Sequence, residues 1–224
     1  LESALLFQPQ ACRRQILTAM NYILSDGRPP RQYSLPAVPG ALPPMMDLRK
    51  FIDQGVWIIS TLYSYLAYTG DFSLLDERCS YCVASEDNRR VVARTEEEDT
   101  VLDHLLKIMA FLSSNIDREG GTLCLHVLHG DWNDALDALG KTEKPGKEFG
   151  TGVTVMATLQ FYQNCREMAE ILDKIKKYPE KAAEYRRYAA DIEASLPRYA
   201  IDRGEEGKER IVHGWGDDRS YLLG

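Results

Sequence analysis

The chain has 224 residues, 44% of them hydrophobic and 27% charged, with a formal net charge of -7. That balance can bury a sizeable core, which argues against a disordered chain. The acidic excess, with its Lys and Arg interspersed among acids, argues against a nucleic-acid or anionic-membrane surface.

The first periodic segment, from about Gln8 to Leu24, reads as a helix. Residues 25–47 carry Pro29, Pro30, Pro36, Pro39, Pro43 and Pro44 and form a loop too long for a plain connector. From about Leu48 to Tyr68 the chain is apolar on most faces, which predicts a helix surrounded by others; it carries Ser, Thr and Tyr and is too short and mixed to span a bilayer. Thr69-Gly70-Asp71 ends it. A short helix from Phe72 to about Cys82 and a charged connection follow. Thr95-Glu96-Glu97-Glu98 fits a capping box opening a helix with Val101, Leu102, Leu105, Met109 and Leu112 on its apolar face, and Asp117-Arg118-Glu119-Gly120-Gly121 closes it. Residues 117–150 form a second long loop, rich in acids. Val153 to Lys177 predicts a long amphipathic helix, and Pro179 suits the first turn of a last one through Tyr185, Tyr188, Ile192 and Leu196. Period-two alternation is nearly absent, so the expected fold class is all-α. If the helices run up and down in hairpins, the two long loops emerge at one end, the natural place for a cleft.

The cysteine count is 5, and Cys12, Cys124 and Cys165 stand singly in apolar contexts, as buried thiols of a reducing compartment do. A cytoplasmic location is the expectation. Cys79-Ser80-Tyr81-Cys82 has metal-ligand spacing, but no second pair accompanies it and no strand is expected before it, so no metal is assigned. The start Leu1-Glu2-Ser3-Ala4 has neither an initiator Met nor the features of a secretory signal, and the chain is expected to be part of a larger polypeptide.

Leu128-His129-Gly130-Asp131-Trp132-Asn133-Asp134-Ala135-Leu136-Asp137-Ala138-Leu139-Gly140 gathers three carboxylates, an indole and an amide between glycines. Asp and Asn favour turns and helix starts, so the letters alone describe a solvated turn. Trp132 changes the reading. An indole beside acids is a platform for the C–H face of a sugar, and apolar surface beside Asp131 and Asp134 would help a carboxylic acid keep its proton for a departing glycosidic oxygen.

Gly130-Asp131-Trp132-Asn133-Asp134 resembles the motif of the family-94 glycoside phosphorylases. Trp57 through Tyr65 to Thr69-Gly70-Asp71, Leu75-Asp76-Glu77, the long helix after Gly152, and Gly214-Trp215-Gly216-Asp217-Asp218 resemble the family's surroundings of that motif. The wording Phe51-Ile52-Asp53-Gln54-Gly55-Val56-Trp57 and the stretch from Gly130 to Thr142 lean toward the β-1,2-oligoglucan branch. The resemblance implies an (α/α)6 barrel, of which residues 1–224 would be an incomplete, helical-hairpin part. It implies phosphorolysis of a β-gluco-oligosaccharide with inversion, giving α-glucose 1-phosphate and a shortened chain. Inorganic phosphate is then the cosubstrate, and no metal or organic cofactor is required.

By the same resemblance Asp134 is the general acid and Trp132 lines the sugar site. Asp131 would bond a ring hydroxyl or orient the loop. His129 is a further contact for phosphate or sugar, though a loop histidine beside glycine is commonly a bystander, and Asp137 reads as an exposed turn acid. Asp53, Trp57 and Arg49 lie at the mouth end of the apolar helix and are expected to approach the cleft, with core packing the competing role for Trp57. Arg28, Arg31 and Tyr33 are expected at an acceptor-site wall, and His104 and His126 as structural residues. The family's sugar-holding Arg and Asp residues and its phosphate site would lie in other parts of the same polypeptide. An inverting hydrolase or transglycosylase on the same scaffold, and a carbohydrate-binding helical protein without turnover, remain the alternatives. A homo-oligomer is left open.

Overall fold

The computed structural model describes residues 2–38, 41–42, 45–87, 90–134, 137–204, 208–217 and 220–223. They divide into two compact units, Leu1–Lys50 with Trp57–Phe111, and Phe51–Val56 with Leu112–Gly224. The helices are α1 (Glu2–Leu5), α2 (Pro9–Met20), α3 (Gln54–Thr69), α4 (Val101–Ser114), α5 (Val155–Ile175) and α6 (Pro179–Tyr199). Among the described residues no helix is long and apolar enough to cross a membrane. The all-α expectation holds in part, because short strands and one long hairpin accompany the helices.

In the first unit, β1 (Gln32–Tyr33) pairs antiparallel with β2 (Met46–Asp47), tying together the two ends of the proline-rich loop. Tyr22, Leu24, Met46, Leu48 and Cys82 form a small core against which Tyr33 packs. Of the residues expected at the site, Arg28 is buried and donates to the Leu48 carbonyl at 2.8 Å, and Arg49 clasps the Asp47 carboxylate at 2.6 Å. α3 is less enclosed than its composition suggests. Val56, Ile59, Leu62, Tyr65 and Leu66 are buried, whereas Trp57, Ala67 and Tyr68 are exposed. Its end is fixed by the Thr-Gly-Asp turn. Gly70 takes φ +67, and Asp71 accepts from the Tyr65 hydroxyl at 2.7 Å and from Arg13 at 3.1 Å. Bonds from Ser73, Tyr65 and Arg13 hold that carboxyl below the ordinary range.

The expected short helix and charged connection after Asp71 are corrected. Only a 3-10 turn, Phe72–Asp76, forms; then β3 (Arg78–Ala84) and β4 (Val91–Thr100) pair as an antiparallel hairpin with bulged register. Alternation is hidden because β4 faces solvent for much of its length and reads as a charge run. Thr95 is not a helix cap. Its hydroxyl accepts from the Tyr81 N–H at 3.0 Å inside the hairpin. The cap lies five residues later, where Thr100 Oγ1 accepts from the Asp103 N–H and Asp103 accepts from the Thr100 N–H, each at 3.2 Å. His104 is structural, as expected: fully buried, it meets the Thr100 carbonyl at 2.9 Å and stacks on Tyr81 at 4.0 Å. The Cys79 and Cys82 thiols sit on β3, contrary to the helical reading, and point at the Leu17 and Asn21 carbonyls.

The second unit is built on the hairpin of α5 and α6. Phe161, Cys165, Met168 and Leu172 line one face of α5, and Ala182, Tyr185, Ala189 and Ile192 one face of α6, all buried at intervals of three or four. The turn between them uses left-handed backbone at Lys176 and Tyr178, and Pro179 opens α6 in its first turn. At the end of the hairpin where α5 begins, β5 (Leu125–His126), β6 (Val153–Thr154) and β8 (Arg210–Trp215) form an antiparallel sheet extended by β7 (Ile201–Asp202) and β9 (Tyr221–Leu223) on β8. β6 runs directly into α5.

Candidate functional site

Residues 128–140 leave the sheet after β5 and return as a loop closed at its neck. The Ala138 N–H donates to the His129 carbonyl at 2.5 Å, and Gly140 lies so close to Leu128 that an added Cβ would overlap the Leu128 carbonyl. Leu128 and Ala138 both hold left-handed backbone, at φ 52 and φ 68. Such conformations cost non-glycine residues roughly 1–2 kcal/mol and persist only where surrounding contacts over-determine them. Here the contacts come from Phe51-Ile52. Phe51 bridges to Leu128 and Gly130, and the Ile52 N–H donates to the Gly130 carbonyl at 3.1 Å. Gly130 is required by this approach, since a Cβ there would stand 2.8 Å from the Phe51 ring. His129 is buried at 7% exposure with its ring 5.0 Å from that of Phe51, so it packs beneath the loop.

Asp131 is the pivot. Its side chain is fully buried, and its oxygens accept from Thr154 Oγ1 at 2.6 Å, from His213 Nε2 at 3.1 Å and from the Asn133 N–H at 3.0 Å. Thr154 is the N-cap of α5. Its hydroxyl donates to Asp131 and accepts from the Ala157 N–H at 3.3 Å, while its carbonyl accepts from Thr158. A carboxylate buried at the N-terminus of a helix of 21 residues sits at the positive end of the helix dipole, the place where burial of a negative charge is least costly. Three donors and that dipole explain how Asp131 is held inside the protein.

With Asp131 turned inward, the next residues turn outward. Trp132 is 59% exposed and Asp134 is exposed as well. The apolar shelter expected for Asp134 from Trp132 is therefore not in place in this chain. Asp53 is buried at 1% exposure, two residues after Phe51, and its Oδ1 accepts from Gln54 at 2.8 Å, so the structure brings it to the segment under the loop. Trp57 belongs to the first unit. It is 49% exposed and lines a cavity of about 120 Å³ with Ile16, Ala19, Met20, Ile58 and Thr61. Asp137 is half-buried rather than the exposed turn acid expected, and its Oδ1 is itself buried.

The far side of the loop is stitched down by Asp217, whose Oδ1 accepts from the Thr151 N–H at 2.6 Å and the Gly152 N–H at 2.9 Å. Trp215, from the expected Gly-Trp segment, donates its indole N–H to the Tyr199 carbonyl at 2.8 Å. Thr154 carries no signal in the sequence beyond its place before an apolar run, and His213 none beyond its place beside the Gly214-Trp215 segment. Their partner lies 23 and 82 residues away, so neither pairing has a local spacing to betray it. Among the described residues, no group of three or more His, Cys, Asp or Glu is placed to hold a metal ion.

Comparison with known proteins bears on this loop. Residues 2–218 match the Glycosyl hydrolase 94 superfamily, catalytic domain. The chain is 27% identical over 191 residues to the solabiose phosphorylase of Paenibacillus borealis, covering 85% of the chain and 21% of that protein. It is also 27% identical over 175 residues to the cellobionic acid phosphorylase of Neurospora crassa, covering 78% and 20%. It thus spans about a fifth of the length of these curated relatives.

Proposed function

Because the chain belongs to the glycosyl hydrolase 94 superfamily, as part of its catalytic domain, we propose that the polypeptide carrying it is an inverting glycoside phosphorylase. The single observation that carries this reading is the division of labour within the 128–140 loop. One acid, Asp131, is buried and clasped, and the loop it fixes presents an exposed indole and an exposed carboxyl two residues apart. An acid serving only as a surface turn needs no such anchor. The names of both relatives, each a phosphorylase, support the same reading.

In the proposed reaction a glucosyl unit of a β-gluco-oligosaccharide stacks on Trp132. Asp134, protonated, gives its proton to the glycosidic oxygen as the bond from that oxygen to C1 breaks. An oxygen of inorganic phosphate forms the new bond to C1 from the opposite face, giving α-glucose 1-phosphate and a chain shortened by one sugar. The bound saccharide supplies the apolar cover that Asp134 lacks here and excludes water from the carboxyl. Phosphate replaces the second carboxylate of an inverting hydrolase, so no organic cofactor or metal enters. Asp53 and His129 support the loop from beneath. We further propose the (α/α)6 barrel as the architecture of the complete domain, a β-1,2-linked glucan as substrate and a cytoplasmic location, to which the five buried thiols, none in a disulfide, are suited.

The test uses the full-length polypeptide with β-1,2-, β-1,3- and β-1,4-linked gluco-oligosaccharides, with and without phosphate, reading glucose 1-phosphate. Product that requires phosphate, and a kcat lowered by about 10³-fold in Asp134→Asn while saccharide affinity is retained, is the expected result. Free glucose released without phosphate would make the protein a hydrolase. Saccharide binding with no turnover would make it a binding protein.

A further inference from the structure

We infer that His213 is a positioning residue for the acidic loop, acting on Trp132 and Asp134 through Asp131; the inference rests on the phosphorylase reading for its effect on catalysis. The argument begins in β8. Along its pairing with β9, Val212 faces Leu223 and Gly214 faces Leu222, so His213 is the extra residue of a β-bulge. A bulge interrupts the alternation of side chains and re-aims the inserted one, and bulges recur beside active sites for that reason. Here the re-aimed ring brings Nε2 to 3.1 Å from Asp131 Oδ2. The ring is 9% exposed and the carboxylate 0%.

The consequence is a clasp with two arms on one oxygen. Thr154 Oγ1 and His213 Nε2 both donate to Asp131 Oδ2, whereas Oδ1 accepts from the Asn133 N–H and so sets the turn on which Trp132 sits. The Thr154 arm comes from the cap of α5, already fixed by the helix. The His213 arm comes from a strand paired to β6 through Val153↔Trp215 and Thr154↔Gly214. With Oδ1 held by the Asn133 N–H, each arm on Oδ2 tightens the constraint on the carboxylate plane, and with it on the direction in which the loop carries Asp134. A histidine serving stability alone has no need to enter as the one unpaired residue of a strand. The bond requires Nε2, not Nδ1, to carry the proton toward the carboxylate.

The choice of nitrogen gives the test. In the full-length polypeptide, His213→Gln places a donor nitrogen near the position of Nε2, His213→Asn places one near Nδ1, and His213→Ala removes both. Phosphorolysis of a β-gluco-oligosaccharide is expected to keep kcat within about 5-fold in the Gln variant. In the Asn and Ala variants kcat should fall on the order of 10²-fold with KM little changed, the loss typical of a misdirected reacting group. Hydrogen exchange gives a readout independent of turnover. The amides of residues 129–134 should exchange faster in His213→Ala and His213→Asn than in His213→Gln, with α5 unchanged. Equal loss in all three variants, a loss confined to KM, or loop exchange that does not respond to the substitutions would overturn the inference. If the wild-type polypeptide makes no glucose 1-phosphate but loop exchange follows the nitrogen, the phosphorylase reading falls and the positioning role stands.

Discussion

Thr154→Val is the substitution that most directly interrogates how Asp131 is kept inside the protein. Valine matches threonine in shape, so the change deletes a hydroxyl while leaving the packing nearly intact. Two bonds are lost: the donation to Asp131 Oδ2 at 2.6 Å and the acceptance from the Ala157 N–H at 3.3 Å that caps α5. A hydrogen bond to a charged partner contributes about 1.5–3 kcal/mol net, and loss of an N-cap costs about 1 kcal/mol. Together they predict a loss of about 3 kcal/mol, since Asp131 remains buried with one donor fewer. At a urea m-value of roughly 2 kcal/mol/M this lowers the midpoint by about 1.5 M for the transition that includes α5. Thr154→Ser keeps the hydroxyl and gives up only a methyl, so its loss should stay near 0.8 kcal/mol. Urea unfolding followed by Trp fluorescence and far-ultraviolet circular dichroism checks both. The reasoning is refuted if the Val variant unfolds within about 0.5 kcal/mol of wild type, or if Ser loses as much as Val.

Two further outcomes follow from the geometry. Gly140→Ala forces a Cβ into the Leu128 carbonyl, a backbone atom that has no freedom to rotate away; the loop neck should open, seen as faster hydrogen exchange of the Ala138 amide and a lower melting temperature, whereas Gly146→Ala meets nothing within 4 Å and costs only the strain of its φ of +75. Burial raises the Cys124 thiol to about 11; the folded state therefore keeps its proton where the unfolded chain has lost it, so stability present below about pH 8.5 should decline as pH rises toward 11, and Cys124→Ala should flatten that decline in a pH series of urea midpoints.

The helices were legible because their signal is local. Pro179 and the apolar faces of α5 and α6 all act within a turn or two, and the boundaries of α5 and α6 fall within a few residues of the periodic segments. The β3 and β4 hairpin was missed for the opposite reason: its exposed strand carries Arg94-Thr95-Glu96-Glu97-Glu98, which imitates a helix start, and only pairing with β3 decides the matter. At the site, the composition of residues 128–140 pointed to the loop, and the family resemblance to Asp134 and Trp132. The inward turn of Asp131, the exposure of Trp132 and Asp134, and the hold of Thr154 and His213 depend on strands brought together from distant parts of the chain. No spacing in the sequence encodes such a meeting.

Synthesis delivers the parts of the clasp in a fixed order. Phe51-Ile52 leaves the ribosome first, the loop with Asp131 follows, then Thr154, and the last partner is His213, with β9 after it. Until β8 has emerged and docked, the buried carboxylate has lost an arm and the strained turns at Leu128 and Ala138 lack part of what enforces them. A ribosome paused before that strand holds a nascent chain whose helices can already be formed while the 128–140 loop waits, a window in which a chaperone or a protease meets an unfinished loop.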